Sequence, residues 1–241
     1  MENKILLICP TRQRGKNIDE FYKAFKENSS ICDLVFSLDE DDYMNYPKFE
    51  DSNVFYEIGF KNGIVPAINY VAYKYAQNKQ YKLIGMINDD HIIRTKDWDK
   101  IVYEKLKNEK IAIAYPNDLF TVENSGHLAS DLYASAVFIT PNIINILGYM
   151  ANPMFYHRWV DHIWLDMGRK LGCLTYFENI IFEHMHPHAN KNQYDEMYES
   201  YHTTEKAMKL IEIDHRIYNY YIEKCLDNDV EKIRKYFEIY G

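Results

Sequence analysis

The sequence predicts an α/β fold: a mostly parallel central sheet with helices on both faces, followed by a helical C-terminal extension. Short apolar stretches alternate with amphipathic stretches of helical length through the first half of the chain. That alternation is typical of strands joined by crossover helices. From residue 195 onward the chain is polar, rich in tyrosine and helical in its spacing. The composition, 47% apolar and 27% charged, excludes a disordered or low-complexity chain.

Seven apolar stretches predict strands. The first stops at Pro10, the second at the acidic residues 39–42, and the fourth at the polar residues 88–91. The predicted strands are residues 4–9, 33–38, 54–60, 82–87, 111–115, 133–140 and 174–182. Ligands of such sheets bind outside the carboxyl ends of the strands. We therefore expect the segments 10–14, 37–42 and 87–91 to converge on one cleft.

The helices are predicted from apolar side chains that recur at helical spacing. The second one has Pro66 in its first turn, where the missing N–H costs little. Asn228 followed by Glu231 resembles a capping box that opens the final helix. The predicted helices are residues 17–27, 65–77, 98–108, 141–149 and 156–171, with about two more after residue 195.

Length and charge limit the organisation and the partners. A chain of 241 residues corresponds to one large domain, or to one domain with an appendage. We expect residues 1–190 to form the sheet domain and residues 191–241 to form the helical extension packed on it. The net charge is −8, and the basic residues are scattered, which argues against a general nucleic-acid binder. A local basic pocket for a phosphate is still compatible with this balance.

Cysteine spacing and apolar run lengths predict a cytoplasmic protein. Only five consecutive apolar residues precede Pro10, which is too few for a signal peptide. No apolar run approaches the length of a membrane span. The four cysteines are widely spaced, with no CxxC pair. We expect reduced thiols and the cytosol of a bacterium or of a virus-infected cell.

The residues at the strand ends suggest a cation site and a phosphate site. Asp89 and Asp90 are adjacent carboxylates whose repulsion a divalent cation would relieve, and oxygen ligands suit Mg²⁺ or Mn²⁺. Exposed turn or cap carboxylates are the alternative. Arg12 and Arg14 could contact phosphates or a base, or they could be ordinary surface arginines. Three alternating histidines follow the last strand and could complete a metal site: His184, His186 and His188. A zinc site is the sharper alternative, although no cysteine accompanies these histidines.

The order of these motifs resembles that of GT-A glycosyltransferases, particularly small family-2-like enzymes with an N-terminal PTRxR segment. PTRQR at 10–14 is similar to the opening nucleotide loop, and Asp39 is placed like the aspartate that contacts the base. KNGIVPAIN at 61–69 resembles the Gly-containing loop and helix that ends in an asparagine, here Asn69. NDD at 88–90 occupies the position of the DxD metal motif, with Asn88 in place of its first aspartate.

The resemblance continues in the second half and covers about residues 3–190. WVDHIWLDMGRKLG at 159–172 is similar to the helix that carries the catalytic aspartate, which points to Asp161. An ordinary first-turn helix carboxylate is the alternative for that residue. EHMHP at 183–187 is similar to the segment that supplies a metal-ligating histidine, which points to His184.

The resemblance implies a metal-dependent, inverting transfer of a sugar from a nucleoside-diphosphate sugar, a UDP-sugar above all, to an acceptor hydroxyl. Asp161 would be the general base, and Asp90 and His184 would hold Mn²⁺ or Mg²⁺. The acceptor would be a glycan, which the acidic composition favours, or a modified DNA base. The implied donor-binding residues are Pro10, Thr11, Arg12, Arg14, Asp39, Asn69, Asn88 and Asp89.

Two other functions stay open at this level. A nucleotidyltransferase would carry a glycine-rich phosphate loop after the first strand, whereas this loop has only Gly15. A non-catalytic nucleotide- or carbohydrate-binding module is favoured if no metal binds and Asp161 faces away from the cleft. The sequence also leaves open whether the chain forms a homodimer.

Overall fold

The computed structural model describes residues 4–59, 63–78, 80–120, 133–187, 191–192 and 196–240. Eight strands form one sheet in these ranges. They are β1 (Lys4–Thr11), β2 (Cys32–Asp39), β3 (Val54–Gly59), β4 (Tyr81–Met86), β5 (His91–Ile93), β6 (Ile113–Asn117), β7 (Val137–Ile139) and β8 (Leu174–His184). Their order across the sheet is β3-β2-β1-β4-β7-β6-β8-β5.

Eight α-helices accompany the sheet in the described ranges. They are α1 (Gly15–Asn28), α2 (Ile64–Ala76), α3 (Trp98–Leu106), α4 (Pro141–Leu147), α5 (Val160–Leu171), α6 (Glu196–His202), α7 (Glu205–Lys224) and α8 (Leu226–Tyr240). None of the helices described here is long and apolar enough to cross a membrane.

The sheet is mostly parallel, as predicted. The neighbours β3-β2, β2-β1, β1-β4 and β6-β8 run parallel. The short strand β7 lies antiparallel between β4 and β6, and β5 pairs antiparallel with β8. Four of the seven neighbouring pairs are therefore parallel, and their carboxyl ends share an edge at β1, β2 and β4.

Alternate residues of β1 face opposite sides of the sheet, and each side has its own core. Ile5, Leu7 and Cys9 pack with α1 and α3 in one cluster. Leu6 and Ile8 belong to the other cluster, which includes α2, α4 and α5. Helices therefore cover both faces, as predicted. The second core also takes in side chains of the C-terminal helices, among them Tyr221, Leu226, Val230 and Ile233.

Several predicted boundaries were wrong for identifiable reasons. β1 continues through Pro10, because its pairing with β4 ends at Ile8 and no N–H is required from Pro10 on that side. α5 begins at Val160 rather than at residue 156. β5 was not predicted, since three residues are too few to show a pattern.

The C-terminal extension also differs in detail from the prediction. Its described residues, 191–192 and 196–240, contain three helices rather than two. The proposed capping box is wrong, because α8 already begins at Leu226. The amide of Asn228 instead donates to the carbonyl oxygen of Lys224 at 3.4 Å.

Candidate active site

A cavity of about 560 Å³ opens at the carboxyl ends of β1, β2 and β4. The polar segments that follow these strands meet there, as the topology predicts. Side chains from α5 and β8 line the same cavity. Ten of the eleven predicted site residues are among its lining: Pro10, Thr11, Arg12, Arg14, Asp39, Asn88, Asp89, Asp90, Asp161 and His184.

Asn69 is the exception, and its role in donor binding stays a prediction. Its side chain lies under the loop that follows α4. Oδ1 accepts the amides of Met150 and Ala151, both at 2.9 Å, and Nδ2 donates to the carbonyl oxygen of Ala151 at 2.6 Å. The amide group is therefore committed to holding that loop, and it does not line the cavity.

Asp89 is bound on both carboxylate oxygens by the loop after β1. Thr11 Oγ1 donates to Oδ2 at 2.6 Å, and Arg14 Nη1 lies 3.0 Å from Oδ1. Burial raises the pKa of Asp89 to about 6, although the Arg14 guanidinium acts in the opposite direction. Asp89 thus ties the first loop to the end of β4.

Arg12 joins the same loop to the acidic segment after β2. Its Nη1 lies 2.5 Å from Asp39 Oδ2, and the guanidinium also makes a bidentate pair with Asp41 at 2.8 and 3.0 Å. The next residue, Gln13, has a positive φ of 55° and donates its N–H to Asp42 at 2.6 Å. The acidic cluster therefore fixes the turn that carries both arginines.

Asp90, His91 and His184 form a cluster able to hold a metal ion. His91 on β5 pairs directly with His184 on β8, so the antiparallel register places both side chains on one face. Their rings stack with centres 4.2 Å apart, and Asp90 Oδ1 lies 3.3 Å from His91 Nδ1 and 3.4 Å from His184 Nε2. All three donor atoms lie within 4.8 Å of one another. In the part of the chain that the structure describes, this is the only such group of three.

The electrostatics of this cluster follow from burial and from the imidazoles. Burial favours the neutral form of Asp90, but His184 and His91 outweigh it and hold its pKa well below the usual value. For His184, burial lowers the pKa while Asp90 raises it, and the net shift is upward. The cluster thus favours an ionised carboxylate.

The other two histidines of the late motif are placed differently. His186 lines the cavity and packs edge-on against Phe120, at 5.2 Å, and His184, at 5.0 Å. It is not a member of the three-residue group. His188 lies outside the described residues.

Asp161 lies in the first turn of α5 and lines the cavity, with 32% of its side chain exposed. Its Oδ1 accepts the N–H of His162 at 3.1 Å and lies 2.9 Å from Nδ1 of that imidazole. The helix is preceded by Trp159 at a φ of 70°. Trp159 stacks on His215 and Tyr218 of α7, at 4.5 and 5.1 Å, and these contacts stabilise the turn that presents Asp161.

Several residues that line the cavity were not predicted from the sequence. His157 and Arg158 precede α5, Tyr133 and Ser135 precede β7, and Tyr198 comes from α6. No spacing or motif marks them, because they reach the cavity from loops and from the C-terminal extension. His157 is half-buried, and desolvation together with Arg158 lowers its pKa to about 4.

No family model and no curated protein sequence matches the chain. Solved structures do. S. aureus TarS 1–349 in complex with UDP-GlcNAc superposes with a TM-score of 0.56 at 10% identity, over 92% of this chain and 73% of that one. A mannosyltransferase from Pyrobaculum calidifontis, PcManGT, in complex with GDP-Man and Mn²⁺, superposes with a TM-score of 0.55 at 8% identity. That match covers 98% of this chain and 74% of the other.

The chain has the GT-A fold. A further match, to S. aureus TarS 1–349 at 12% identity and a TM-score of 0.52, covers 74% of this chain and 59% of that structure. The chain therefore corresponds to less than two thirds of the length of that relative. At such identities the similarity establishes the GT-A fold, and the chemistry has to be argued from the cavity itself.

Proposed function

We propose that this protein is a metal-dependent glycosyltransferase that moves a sugar from a UDP-sugar to an acceptor hydroxyl with inversion at the anomeric carbon. The observation that carries the proposal is that Asp161 lines the same cavity as the cluster of Asp90 and His184. The GT-A fold supports the proposal, since one solved structure of that fold holds UDP-GlcNAc and another holds GDP-Man together with Mn²⁺. A non-catalytic module was favoured only if no metal bound and Asp161 faced away from the cleft.

The residues of the cluster fit a divalent cation. Asp90 Oδ1 and His91 Nδ1 are buried, and neither has a hydrogen-bond partner among the described residues. Asp90 and His184 would hold Mn²⁺ or Mg²⁺. When bound, the ion would supply positive charge that neutralises the departing diphosphate.

The donor would occupy the cavity along the loop after β1. Arg12 and Arg14 bring two guanidinium groups into its lining, and such groups bind phosphate oxygens well. Asp39 is held by Arg12 through Oδ2, and its carboxylate would accept a hydrogen bond from the base. We assign donor binding to these residues together with Pro10, Thr11, Asn88 and Asp89.

Asp161 would act as the general base. Its carboxylate would take the proton of the acceptor hydroxyl while the hydroxyl oxygen bonds to the anomeric carbon and the bond to the diphosphate breaks. A single displacement of this kind inverts the anomeric configuration. The contact with His162 would orient the carboxylate. We propose a glycan as the acceptor, because the net charge of −8 disfavours DNA.

We also propose a cytoplasmic location. Cys9 and Cys32 are buried free thiols, and Cys173 and Cys225 are also free. Reduced thiols are typical of that compartment.

A panel of nucleotide sugars tests the proposal by thermal shift and calorimetry, with Mn²⁺ and with EDTA. A ligand at 100 times its dissociation constant adds about 2.7 kcal/mol to the stability of the folded state, which raises Tm measurably. We expect a UDP-sugar to bind with Mn²⁺, and binding to collapse in EDTA. Equal affinity in both conditions would refute metal dependence, and no binding by any nucleotide sugar would refute glycosyl transfer.

A further inference from the structure

His91 is completely buried, and its two ring nitrogens have different environments. Nδ1 faces Asp90 Oδ1 at 3.3 Å without forming a hydrogen bond. Nε2 lies 3.2 Å from the hydroxyl oxygen of Ser135. Ser135 in turn donates its proton to Asp118 Oδ2 at 2.7 Å, and His91, Ser135 and Asp118 are all buried.

This chain of contacts determines the tautomer of His91. A serine hydroxyl has one proton, and that proton is committed to Asp118. Ser135 can therefore only accept from His91, so Nε2 carries the ring proton. The lone pair of Nδ1 is left directed at a carboxylate oxygen.

A buried lone pair beside a carboxylate oxygen is repulsive, and a cation between the two would remove the repulsion. The spacing suits this. A cation bound about 2.1 Å from each ligand places neighbouring donors roughly 3.0–3.4 Å apart. Asp90 Oδ1 lies 3.3 Å from His91 and 3.4 Å from His184.

Asp118 also positions the second histidine. Its carbonyl oxygen accepts the N–H of His184 at 2.9 Å. Of its side-chain carboxylate, Oδ2 accepts from Ser135, as described above, and Oδ1 accepts the N–H of Phe120 at 3.0 Å. One buried aspartate therefore holds the backbone of His184 and, through Ser135, the ring of His91.

We propose that His91 is a protein ligand of the metal through Nδ1, and that Ser135 and Asp118 hold its ring in the ligating tautomer. The inference rests on the proposed function for the assignment of Asp90 and His184 as ligands. The donor set then consists of two imidazole nitrogens and one carboxylate oxygen. Mg²⁺ selects oxygen ligands, whereas imidazole suits transition metals such as Fe²⁺, Ni²⁺ and Zn²⁺, and the affinity of a given site rises along the first row from Mn²⁺. Two imidazole ligands therefore favour a first-row transition ion, with Mn²⁺ the weakest of them, over Mg²⁺.

The test measures metal binding to the full chain without any sugar donor. Titration of Mn²⁺ followed by electron paramagnetic resonance gives the affinity, and competition with Mg²⁺ gives the preference. Pulsed measurements on bound Mn²⁺ count the imidazole nitrogens coupled to it. In the wild type we expect two coupled imidazoles and displacement of Mn²⁺ only by a large excess of Mg²⁺.

The variants separate the ligand from its supports. His91→Ala should leave one coupled imidazole. Loss of a residue that only supports a ligand weakens metal binding by about 10- to 100-fold, and the loss in His91→Ala should be larger than that. Ser135→Ala should keep both imidazoles and weaken binding by about 10- to 100-fold. His215→Ala is the control, an exposed histidine of α7 outside the cluster, and it should bind Mn²⁺ like the wild type.

The outcomes distinguish this inference from the proposed function. One coupled imidazole in the wild type, or unchanged affinity in a folded His91→Ala, overturns the role of His91 and leaves metal-dependent transfer standing. A wild type that binds neither Mn²⁺ nor Mg²⁺ overturns both. If His91→Ala fails to fold, the nitrogen count of the wild type and the affinity of Ser135→Ala decide the matter.

Discussion

Asp214, on α7, binds the backbone of Arg158, with its Oδ2 accepting the Arg158 N–H at 2.8 Å. The same carboxylate accepts the N–H groups of Tyr156 and His157, both at 2.9 Å, and the residue is only 1% exposed. His157 and Arg158 line the cavity. A helix of the C-terminal extension therefore shapes one wall of the candidate active site.

Replacing Asp214 with asparagine should destabilise the protein. An asparagine has one acceptor oxygen, so at least one of the three amides would face its NH₂ group. We expect a loss of about 2 kcal/mol in the free energy of unfolding, which is typical of a buried donor left without its charged acceptor. Urea unfolding measures it.

Asp227→Asn is the control for that variant. Asp227 also carries a negative charge in the extension and pairs with Lys170, but its side chain is 78% exposed. Exposed pairs contribute little, so its unfolding free energy should stay close to that of the wild type. Equal losses in the two variants would contradict the role assigned to Asp214.

Gly85, the residue before the last of β4, should not tolerate a side chain. A Cβ built there lies 2.7 Å from Phe138 Cδ1 and 3.0 Å from Leu7 Cδ1. Overpacking of this kind costs roughly 1–3 kcal/mol, so Gly85→Ala should lower Tm. Gly59→Ala is the matched variant, because a Cβ there meets no described atom within 4 Å. It should leave Tm unchanged or raise it, and a similar fall in both would contradict the packing argument.

The parallel half of the fold was predictable, because its strands are apolar stretches of strand length, although Pro10 did not end β1 as expected. The meeting of residues 10–14, 37–42 and 87–91 followed from topology alone. The antiparallel strands were harder. β5 has three residues, and only its register against β8 reveals that His91 lies beside His184.

The cluster could therefore be predicted only in part. Asp90 and His184 were expected as ligands through the family resemblance, whereas His91 had no pattern of its own. Asp214 was equally hidden, since an aspartate within a polar helix is ordinarily exposed. Asn69 shows the opposite limit, because a motif position does not reveal which backbone groups its amide binds. Tertiary contacts between distant segments decided all three.

Asp39→Ala should weaken the binding of UDP in the presence of Mn²⁺ by roughly 1–3 kcal/mol, the loss expected for a hydrogen bond to a charged group. Arg12 would keep its bidentate pair with Asp41, so its guanidinium should remain in place. The change would then isolate the contribution of Asp39, and calorimetry measures it.

Glu40→Ala is the control for this experiment. Glu40 belongs to the same acidic segment, but it is exposed and does not line the cavity. UDP affinity should change by less than about 0.5 kcal/mol, as for most surface substitutions. An unchanged affinity in Asp39→Ala would remove Asp39 from the donor site.

Asp161→Asn should abolish most turnover without affecting the fold or donor binding. Asparagine keeps the shape of the side chain and can still accept the N–H of His162, but it cannot take up a proton. The rate should fall by roughly 10²–10⁴-fold, the usual contribution of general-base catalysis. Loss of a first-turn charge costs only about 0.3–1 kcal/mol of stability. Steady-state kinetics, UDP calorimetry and Tm together measure these effects.

The control for Asp161 lies on the same helix. Asp166 accepts a hydrogen bond from Tyr218 at 2.8 Å and does not line the cavity, so Asp166→Asn should retain wild-type turnover. If Asp161→Asn stays active, another carboxylate is the base. If it unfolds while Asp166→Asn does not, Asp161 serves the helix terminus. Asp161 is the general base only if Asp161→Asn folds, binds UDP and is inactive. Aspartate and asparagine differ in basicity and hardly at all in size, so such a result isolates the loss of the base.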